Sequence, residues 1–234
     1  MIKVISFDFY GTLVTWMPSG EQIQLQAARA EGLQLDTTNI GAAYAAADRY
    51  LDQENSIMPI PMRSSSKKKQ VFVEYERILL VSLNAEVTSR KAQKIWERVE
   101  ATPKKLTSYQ GARSVLESLI AKNLKIGIIS NIGQGLPELM ESSGLGNLAN
   151  FLVSSGEVGY SKPHPAIFEA AIRVSGVEPS EIIHVGDSIE GDVHGAIASG
   201  IHAVLIDRSE LIPKLKSEKY NVINSLEQLL PLIK

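Results

Sequence analysis

The sequence predicts an α/β protein with a doubly wound parallel sheet, into which a small all-helical segment is inserted after the first strand. Short apolar runs typical of buried strands occur at the start of the chain and again after residue 125, where they alternate with helical patterns. Such alternation favours a parallel sheet with crossover helices. Between these regions, from about residue 20 to residue 100, the chain shows helical patterns but no clear strand.

The elements of the core follow from their residues. The first run, Val4–Phe7, is rich in β-branched and aromatic residues, as expected of a buried strand. The helix over 165–174 begins with Pro165, which suits a first helical turn because its missing N–H would have no partner there. The other predicted core elements are strands over 126–129, 151–153, 182–185 and 203–206, and a helix over 110–121.

The insert is predicted to be helical throughout. A segment rich in proline and serine at 58–66 interrupts it, and such a segment breaks regular structure. The predicted helices of the insert cover 21–30, 39–51, 69–83 and 89–99.

Composition excludes several functional classes. The 234 residues include no cysteine, which rules out a disulfide framework, a thiolate metal site and a cysteine nucleophile. The net charge of −2 does not favour binding to nucleic acid or to an anionic membrane. The apolar run at the N-terminus is too short for a signal peptide, and no stretch approaches the roughly 20 apolar residues of a membrane span. We therefore expect a cytoplasmic monomer or homodimer that acts on a small molecule, without nucleic-acid or membrane partners.

Polar and charged residues follow the predicted strands. Ligands of a doubly wound sheet bind beyond the carboxyl ends of its strands, so these residues should surround one crevice. Taken singly, each is common in turns, helix caps or on the surface, and only the joint pattern points to catalysis. The residues are Asp8 after the first strand, Ser130 and Asn131 after the second, Lys162 after the third, and Asp187 with Asp192 after the fourth.

This set of residues suits phosphoryl transfer. A carboxylate such as Asp8 can attack phosphorus and form an acyl phosphate, which splits one difficult step into two. Asp8 and Asp187, with Asp192 near, offer the hard oxygen ligands that Mg²⁺ prefers. Lys162 adds a positive charge, and Ser130 could hold phosphoryl oxygens.

The four segments, in this order and spacing, resemble the four motifs of haloacid dehalogenase-like hydrolases. Residues 8–13 resemble motif one, Ser130-Asn131 motif two, residues 162–168 motif three, and Gly186-Asp187 with Asp192 motif four. The resemblance implies a Rossmann-like core of residues 1–15 and 103–234, with a helical cap domain over 16–102. It also implies roles for single residues: Asp8, Lys162 and Ser130 as catalytic residues, Tyr10, Thr12 and Asn131 as substrate-binding residues, and Asp8, the Tyr10 backbone carbonyl, Asp187 and Asp192 (through water or from behind the direct ligands) as the Mg²⁺ site.

Motif one departs from the phosphatases of this family. They usually carry a second aspartate two residues after the nucleophile, which protonates the leaving alkoxide, whereas this chain has Tyr10. Tyr10-Gly11-Thr12 is instead similar to the 2-haloacid dehalogenases of the same superfamily, whose halide leaves without a proton.

Motif four departs in the opposite direction. The metal-independent dehalogenases typically carry Ser and Asn where this chain keeps Asp187. An extra carboxylate would repel the carboxylate of a haloacid unless a cation lay between them. The dehalogenases also use an arginine within a Trp-Arg context early in the cap, and the sequence has no such context.

Three hypotheses follow from this hybrid pattern. The first is a Mg²⁺-dependent phosphohydrolase that favours easily departing groups or recruits another acid such as His164. The second is a metal-independent 2-haloacid dehalogenase, and the third is a binding or regulatory protein with little turnover. In each case we expect the cap to move about residues 18–20 and the Thr102-Pro103 region.

Overall fold

The computed structural model describes residues 1–208 and 219–233, and within these residues the chain folds as two compact units. We call them the core unit, Met1–Thr15 with Leu106–Lys234, and the inserted unit, Trp16–Lys105. The domain boundaries expected from the sequence lie after residues 15 and 102. None of the described helices combines the length and the apolar character needed to cross a lipid bilayer.

Six parallel strands form the sheet of the core unit in the described part of the chain. In chain order, the strands of the protein are β1 (Val4–Phe7), β2 (Val14–Met17), β3 (Lys105–Ser108), β4 (Lys125–Ser130), β5 (Phe151–Ser154), β6 (Ile182–Gly186), β7 (His202–Ile206) and β8 (Asn221–Ile223). The order within the sheet is β5-β4-β1-β6-β7-β8, which places the first strand between β4 and β6. Together with the helices that flank the sheet, this order confirms the predicted α/β class.

The register of the central strands aligns their carboxyl ends. Phe7, the last residue of β1, lies opposite Ile128 of β4 and Val185 of β6. The backbone N–H of Asp8 then donates to the Val185 carbonyl at 2.9 Å, so the pairing with β6 continues one residue beyond the strand. The segments that follow β1, β4 and β6 therefore leave the sheet at the same edge.

Helices cover the sheet and bury its apolar residues. Ile167 and Phe168 of the helix that follows motif three are fully buried, and they belong to one cluster with Val4 of β1 and Ile129 of β4. The burial of such side chains is the main favourable term in folding. The α-helices of the core unit are α5 (Ala112–Ala121), α6 (Leu136–Ser142), α7 (Ser155–Val158), α8 (Pro165–Ser175) and α9 (Gly195–Ala198), and a π-helix covers Ile189–His194.

The inserted unit is helical, with two small apolar clusters. Ala27, Leu80 and Ile95 belong to one of them, and Ala43 and Leu79 belong to the other. The helices are α1 (Gly20–Ala30), α2 (Ile40–Ile57), α3 (Ser65–Ser82) and α4 (Ser89–Ala101).

Capping residues set the ends of these helices. Helix α3 begins four residues before its predicted start, because the Ser64 hydroxyl accepts a hydrogen bond from the Lys67 N–H and so caps the first turn. Ser19 forms a capping box with Gln22, and Gly20 is the first residue of α1. Ser19 and Gly20 therefore have less conformational freedom than the predicted hinge assumes, and motion about this point stays a prediction.

Three strands were not predicted. β2 and β3 pair with each other as a two-stranded sheet where the chain passes between the units, and β8 is a three-residue edge strand. Their residues are only partly buried, so they lack the continuous apolar run by which β1 and β6 were predicted.

Candidate active site

The carboxyl edge of the sheet gathers the residues that the sequence singled out. Asp8 directly follows β1, Ser130 ends β4, and Asp187 directly follows β6. Lys162 lies in the loop between α7 and α8 and is 3% exposed. Asp192 lies on the π-helix and is also buried.

Lys162 connects two carboxylates. Its Nζ donates to Asp8 Oδ1 and to Asp192 Oδ1, both at 2.6 Å. These distances are those of charge-assisted hydrogen bonds, which are the strong ones in proteins. The ammonium is thereby held against the proposed nucleophile.

Burial and neighbouring charges set the protonation of the three groups. Burial raises the pKa of Asp8 to about 6, although the Lys162 ammonium acts in the opposite direction. Burial also disfavours the charged form of Asp192, but Lys162 and His184 outweigh it and hold the pKa of Asp192 well below its ordinary value. For Lys162, the effect of burial is outweighed by Asp192 and Asp8, so its pKa lies above the ordinary value. A second cation beside Asp8 would favour its ionised form, which is the form that can attack an electrophile.

A group of three carboxylates could hold a divalent cation. Asp8, Asp187 and Asp192 each offer an oxygen, and these oxygens lie within 4.8 Å of one another. At that separation two negative charges repel by about 3.5 kcal/mol, if the effective dielectric constant is about 20. A cation with a preference for oxygen ligands would remove this repulsion, so the donor set fits Mg²⁺.

Glycines allow the acidic residues to approach the backbone. A Cβ atom at Gly11, whose φ is +80°, would lie 2.1 Å from Asp187 Oδ2, and a Cβ at Gly186 would lie 2.1 Å from Asp192 Cγ. Side chains larger than hydrogen are therefore excluded at both positions. The Thr12 hydroxyl, which was predicted to bind substrate, donates to Asp187 Oδ1 at 3.3 Å.

Asn131 holds the backbone of Lys162. Its Oδ1 accepts from the Lys162 N–H at 2.8 Å, and its Nδ2 donates to the Lys162 carbonyl at 3.2 Å. Most of the polar capacity of this side chain is thus used inside the protein. The predicted contact of Asn131 with substrate rests on its second amide hydrogen and on its backbone N–H.

His164 caps a helix. Its Nδ1 accepts from the Ala166 N–H at 3.2 Å, which places His164 at the N-terminus of α8, and its ring stacks on Tyr160 with a centroid separation of 4.1 Å. This contact fixes the hydrogen on the other ring nitrogen when the ring is neutral. A structural role accounts for both contacts, and neither favours His164 as the alternative acid.

Arg208 is a residue of this region that sequence reasoning missed. Its guanidinium donates to the carbonyl oxygens of Gly11 and Thr12, the latter at 2.6 Å, and lies 3.7 Å from the centre of the Tyr109 ring. Arg208 follows β7 at the carboxyl edge of the sheet, so the rule that located Asp187 would also have located Arg208.

His184 was missed as well. It lies within β6 and is 1% exposed, and its ring contacts both Ser6 and Asp192. A single ionisable residue inside the apolar run Ile182–Gly186 was the available signal.

Comparisons with known proteins bear on this geometry. A family model described as haloacid dehalogenase-like hydrolase matches residues 2–200. "Haloacid dehalogenase-like hydrolase domain-containing protein 3" of Bos taurus is 28% identical over 240 residues, which cover 98% of this chain and 93% of that protein. A phosphoserine phosphatase of Thermus thermophilus is 35% identical over 104 residues, which cover 43% of this chain and 41% of that protein.

Among solved structures, the L-2-haloacid dehalogenase RSc1362 superposes with a TM-score of 0.68 at 22% identity, covering 99% of this chain and 98% of that one. At this identity the likeness shows a shared fold. The family model matches residues 2–200, which is most of the chain. The chain therefore belongs to the haloacid dehalogenase-like hydrolases.

Proposed function

We propose that this hydrolase removes phosphate from a small phosphorylated metabolite in a Mg²⁺-dependent reaction, with Asp8 as the covalent nucleophile. The observation that carries the proposal is the group of three carboxylates, Asp8, Asp187 and Asp192, with oxygens within 4.8 Å of one another. A phosphatase needs such a group to bind its cation, whereas a metal-independent dehalogenase has no use for the charge of Asp187. The partial similarity to a phosphoserine phosphatase supports the same conclusion.

The proposed reaction has two steps. Asp8 attacks phosphorus, the bond to the leaving oxygen breaks, and an acyl phosphate forms on the Asp8 side chain. A water molecule then attacks the phosphorus of this acyl phosphate, the bond from phosphorus to the Asp8 oxygen breaks, and inorganic phosphate leaves as the carboxylate is restored. Bound Mg²⁺, held by Asp8, Asp187 and the Tyr10 carbonyl, with Asp192 acting through water, would offset the negative charge of nucleophile and substrate.

The protein residues bind and compensate charge in both steps. The Lys162 ammonium, 2.6 Å from Asp8 Oδ1, balances the charge that the phosphoryl group brings. Ser130, the last residue of β4, would donate to a phosphoryl oxygen. Tyr10 is half-buried, and burial together with Asp8 raises its pKa, so its hydroxyl remains protonated and is a poor proton shuttle. We therefore expect a preference for leaving groups that depart without a proton.

Phosphate release from p-nitrophenyl phosphate tests the proposal. We expect hydrolysis with Mg²⁺ and none after EDTA, with recovery when Mg²⁺ is added back. Asp8→Asn should abolish hydrolysis and leave the melting temperature near that of the wild type, because the isosteric amide cannot act as the nucleophile. Release that persists in EDTA would contradict the metal requirement. Full activity of Asp8→Asn would contradict the role of Asp8.

The alternative function is a metal-independent 2-haloacid dehalogenase. The residues Tyr10-Gly11-Thr12, which resemble motif one of the dehalogenases, favour it. Here Asp8 would attack carbon, halide would leave, and water would hydrolyse the ester. Chloride release from 2-chloropropionate in the presence of EDTA would establish this function in place of the phosphohydrolase. Absence of both phosphate and chloride release, with intact fold, would leave the binding protein as the better hypothesis.

A further inference from the structure

A buried histidine lies under the site residues, in the middle of strand β6. The Nε2 atom of His184 is 3.0 Å from Asp192 Oδ1, and its Nδ1 atom is 3.0 Å from Ser6 Oγ. The edge of the ring meets the Phe168 ring at a centroid distance of 5.4 Å and an angle of 84°. Burial of a polar ring is costly unless its hydrogen bonds are made, and here both nitrogens have partners.

The partners determine which nitrogen carries the hydrogen. A carboxylate oxygen can only accept, so Nε2 must donate to Asp192. Nδ1 of the neutral ring then accepts from the Ser6 hydroxyl, whose single hydrogen goes to Nδ1 at 3.0 Å rather than to the Ile183 carbonyl at 3.4 Å. Ser6 and Asp192 thus fix both the orientation and the tautomer of His184.

These contacts form a network of hydrogen bonds, here called the circuit, that begins at Ser6 and ends at Asp8, and the backbone of residues 6–8 closes it. Ser6 lies in β1 and Asp8 directly follows it, and because the pairing with β6 continues to Asp8, the two side chains point to the same face of the sheet. Ser6 lies opposite His184 in the parallel register. From His184 the circuit continues through Asp192 to Lys162, and from Lys162 back to Asp8.

Asp192 is held at both oxygens within this circuit. Its Oδ1 accepts from His184 and from Lys162, and its Oδ2 accepts from the Ser188 N–H at 3.0 Å. Without the His184 hydrogen bond, the carboxylate would keep only its bonds to Lys162 and to the Ser188 N–H, so it could rotate and the Lys162 ammonium would follow its charge. Lys162 would then be less well placed against Asp8.

We propose that His184 is a positioning residue for the hydrolase reaction, which through Asp192 keeps the Lys162 ammonium against the Asp8 nucleophile. The inference rests on the proposed role of Asp8 as nucleophile, and it holds whether Asp8 attacks phosphorus or carbon. His184 does not touch the nucleophile, and it meets the proposed metal site only through its hydrogen bond to Asp192.

Two amide variants separate the two ring nitrogens. The side-chain nitrogen of glutamine can occupy the place of Nε2, whereas that of asparagine occupies the place of Nδ1. His184→Gln should therefore keep kcat on p-nitrophenyl phosphate within a few-fold of the wild type. His184→Asn should lower kcat by about 10- to 100-fold, the usual effect of losing a partner that orients a site residue. KM should change little in both, because His184 does not touch substrate.

A merely structural role predicts a different pattern. Asn and Gln would then lower kcat to the same extent, in proportion to their loss of melting temperature, and this result would overturn the proposal. His202→Gln provides the matched control, because His202 is an exposed residue at the start of the neighbouring strand β7. It should leave kcat, KM and melting temperature unchanged.

Ser6→Ala tests the circuit without altering the histidine. It should lower kcat by a few-fold in the wild type, since the ring loses its anchor at Nδ1. In the His184→Gln background it should have no further effect, because glutamine has no atom that reaches Ser6. Additive effects in this double-mutant cycle would show that Ser6 acts independently of His184 and would overturn the circuit.

Nuclear magnetic resonance of ¹⁵N-labelled protein gives a readout that does not depend on turnover. With four histidines in the chain, the ring signals can be assigned by single substitution. We expect His184 to carry its hydrogen on Nε2, and we expect a slowly exchanging Lys162 ammonium signal that survives in His184→Gln and is lost in His184→Asn. The opposite tautomer, or an ammonium signal indifferent to both substitutions, would overturn the inference. A wild type that hydrolyses neither test substrate would defeat the proposed function, while these signals would still decide the role of His184.

Discussion

Tyr10 occupies the position at which phosphatases of this family usually carry the acid that protonates the leaving group, and at which the dehalogenases need no acid. Its ring meets that of Phe9 edge-on, with centroids 5.1 Å apart, and is half-buried. Burial and the charge of Asp8 both raise its pKa, so the hydroxyl remains protonated at neutral pH. A group in this state can donate a hydrogen bond to a leaving atom but transfers a proton to it slowly.

Replacement of Tyr10 by aspartate should supply the missing acid. We expect Tyr10→Asp to raise the rate on an alkyl phosphate such as glycerol 2-phosphate relative to p-nitrophenyl phosphate. General acid catalysis contributes typically about 10² to 10⁴ in rate, and a grafted group should approach the lower end. Tyr10→Phe should leave the ratio of the two rates unchanged, as measured by phosphate release. A fall of that ratio in Tyr10→Phe would mean that the tyrosine already acts as the acid.

Asp187 is the residue whose charge favours a metal-dependent reaction over that of a metal-independent dehalogenase. Asp187→Asn removes one charge from the carboxylate group without changing its size. If the protein is a Mg²⁺-dependent phosphohydrolase, the Mg²⁺ concentration for half-maximal activity should rise by about 10-fold or more. Glu190→Gln is the matched control, because Glu190 is an exposed acid three residues further along the chain. An unchanged Mg²⁺ dependence, or new chloride release from 2-chloropropionate, would favour the dehalogenase.

At the scale of elements, the turn after β1 depends on an arginine from the end of β7. The guanidinium of Arg208 binds the carbonyls of Gly11 and Thr12, next to the Tyr10 carbonyl that we propose as a metal ligand. The Tyr109 ring supports the guanidinium from one side, and the Tyr109 N–H donates to the Leu13 carbonyl at 2.9 Å. Arg208 and Tyr109 therefore hold the same turn at three carbonyl groups.

Arg208→Lys tests whether geometry or charge matters in this turn. Lysine keeps the charge but has no planar fork for two carbonyls, so we expect it to behave like Arg208→Met. Both variants should lose about 1.5 to 3 kcal/mol of unfolding free energy, the usual contribution of hydrogen bonds from a charged group. Arg173→Lys, on the exposed side of α8, should lose nothing. Wild-type stability in Arg208→Lys, measured by urea denaturation, would show that charge alone suffices.

The elements that could be predicted from sequence are those with a continuous apolar pattern. β1 and β6 are buried at every residue, so their runs were evident. β2 and β3 escaped prediction because only one residue of each is buried, and β8 because it has three residues. Helix α3 was predicted to begin late because the Ser64 cap lies within a segment read as a breaker.

The site residues divide in a similar way. Asp8 and Asp187 directly follow buried strands, so topology alone predicted that they would meet. The contact between Lys162 and Asp192 could not be predicted, because it depends on how the loop before α8 and the π-helix fold back to the strand ends. The hydrogen-bond partners of His184 could not be predicted either, because the sequence of a strand does not determine which residues of its neighbours face each side chain.

At the scale of the whole molecule, both units bury ionisable groups, but their charges are compensated to different extents. The core unit buries Asp8, Lys162 and Asp192 as a compensated group at its proposed active site. The inserted unit buries Glu76, which is 2% exposed and accepts a hydrogen bond from the Gln24 amide. Burial raises the pKa of Glu76 to about 7, and the Gln24 hydrogen bond only partly opposes this effect. In the inserted unit the buried acid is thus a site of pH-dependent stability.

The direction of the pH dependence follows from the raised pKa. Glu76 favours the folded state while it is protonated, so its contribution is fully present below about 4.5 and is lost as the pH rises through about 7. Glu76→Gln keeps the shape and the acceptor for Gln24 but cannot ionise. We expect it to raise the unfolding free energy at pH 8 by up to about 3 kcal/mol, since one pKa unit corresponds to about 1.4 kcal/mol. At pH 5 its effect should be small, because the wild-type carboxyl is then protonated in the folded protein.

Urea denaturation at pH 5 and pH 8 measures both values. Glu100→Gln, the same substitution at an exposed residue of α4, is the matched control and should change stability at neither pH. An equal gain from Glu76→Gln at both pH values would trace the effect to packing around the amide, and no gain at pH 8 would mean that the folded protein accommodates the charge. The expected gain at pH 8 alone would establish that the inserted unit carries an ionisation penalty at neutral pH and above, independent of the proposed active site.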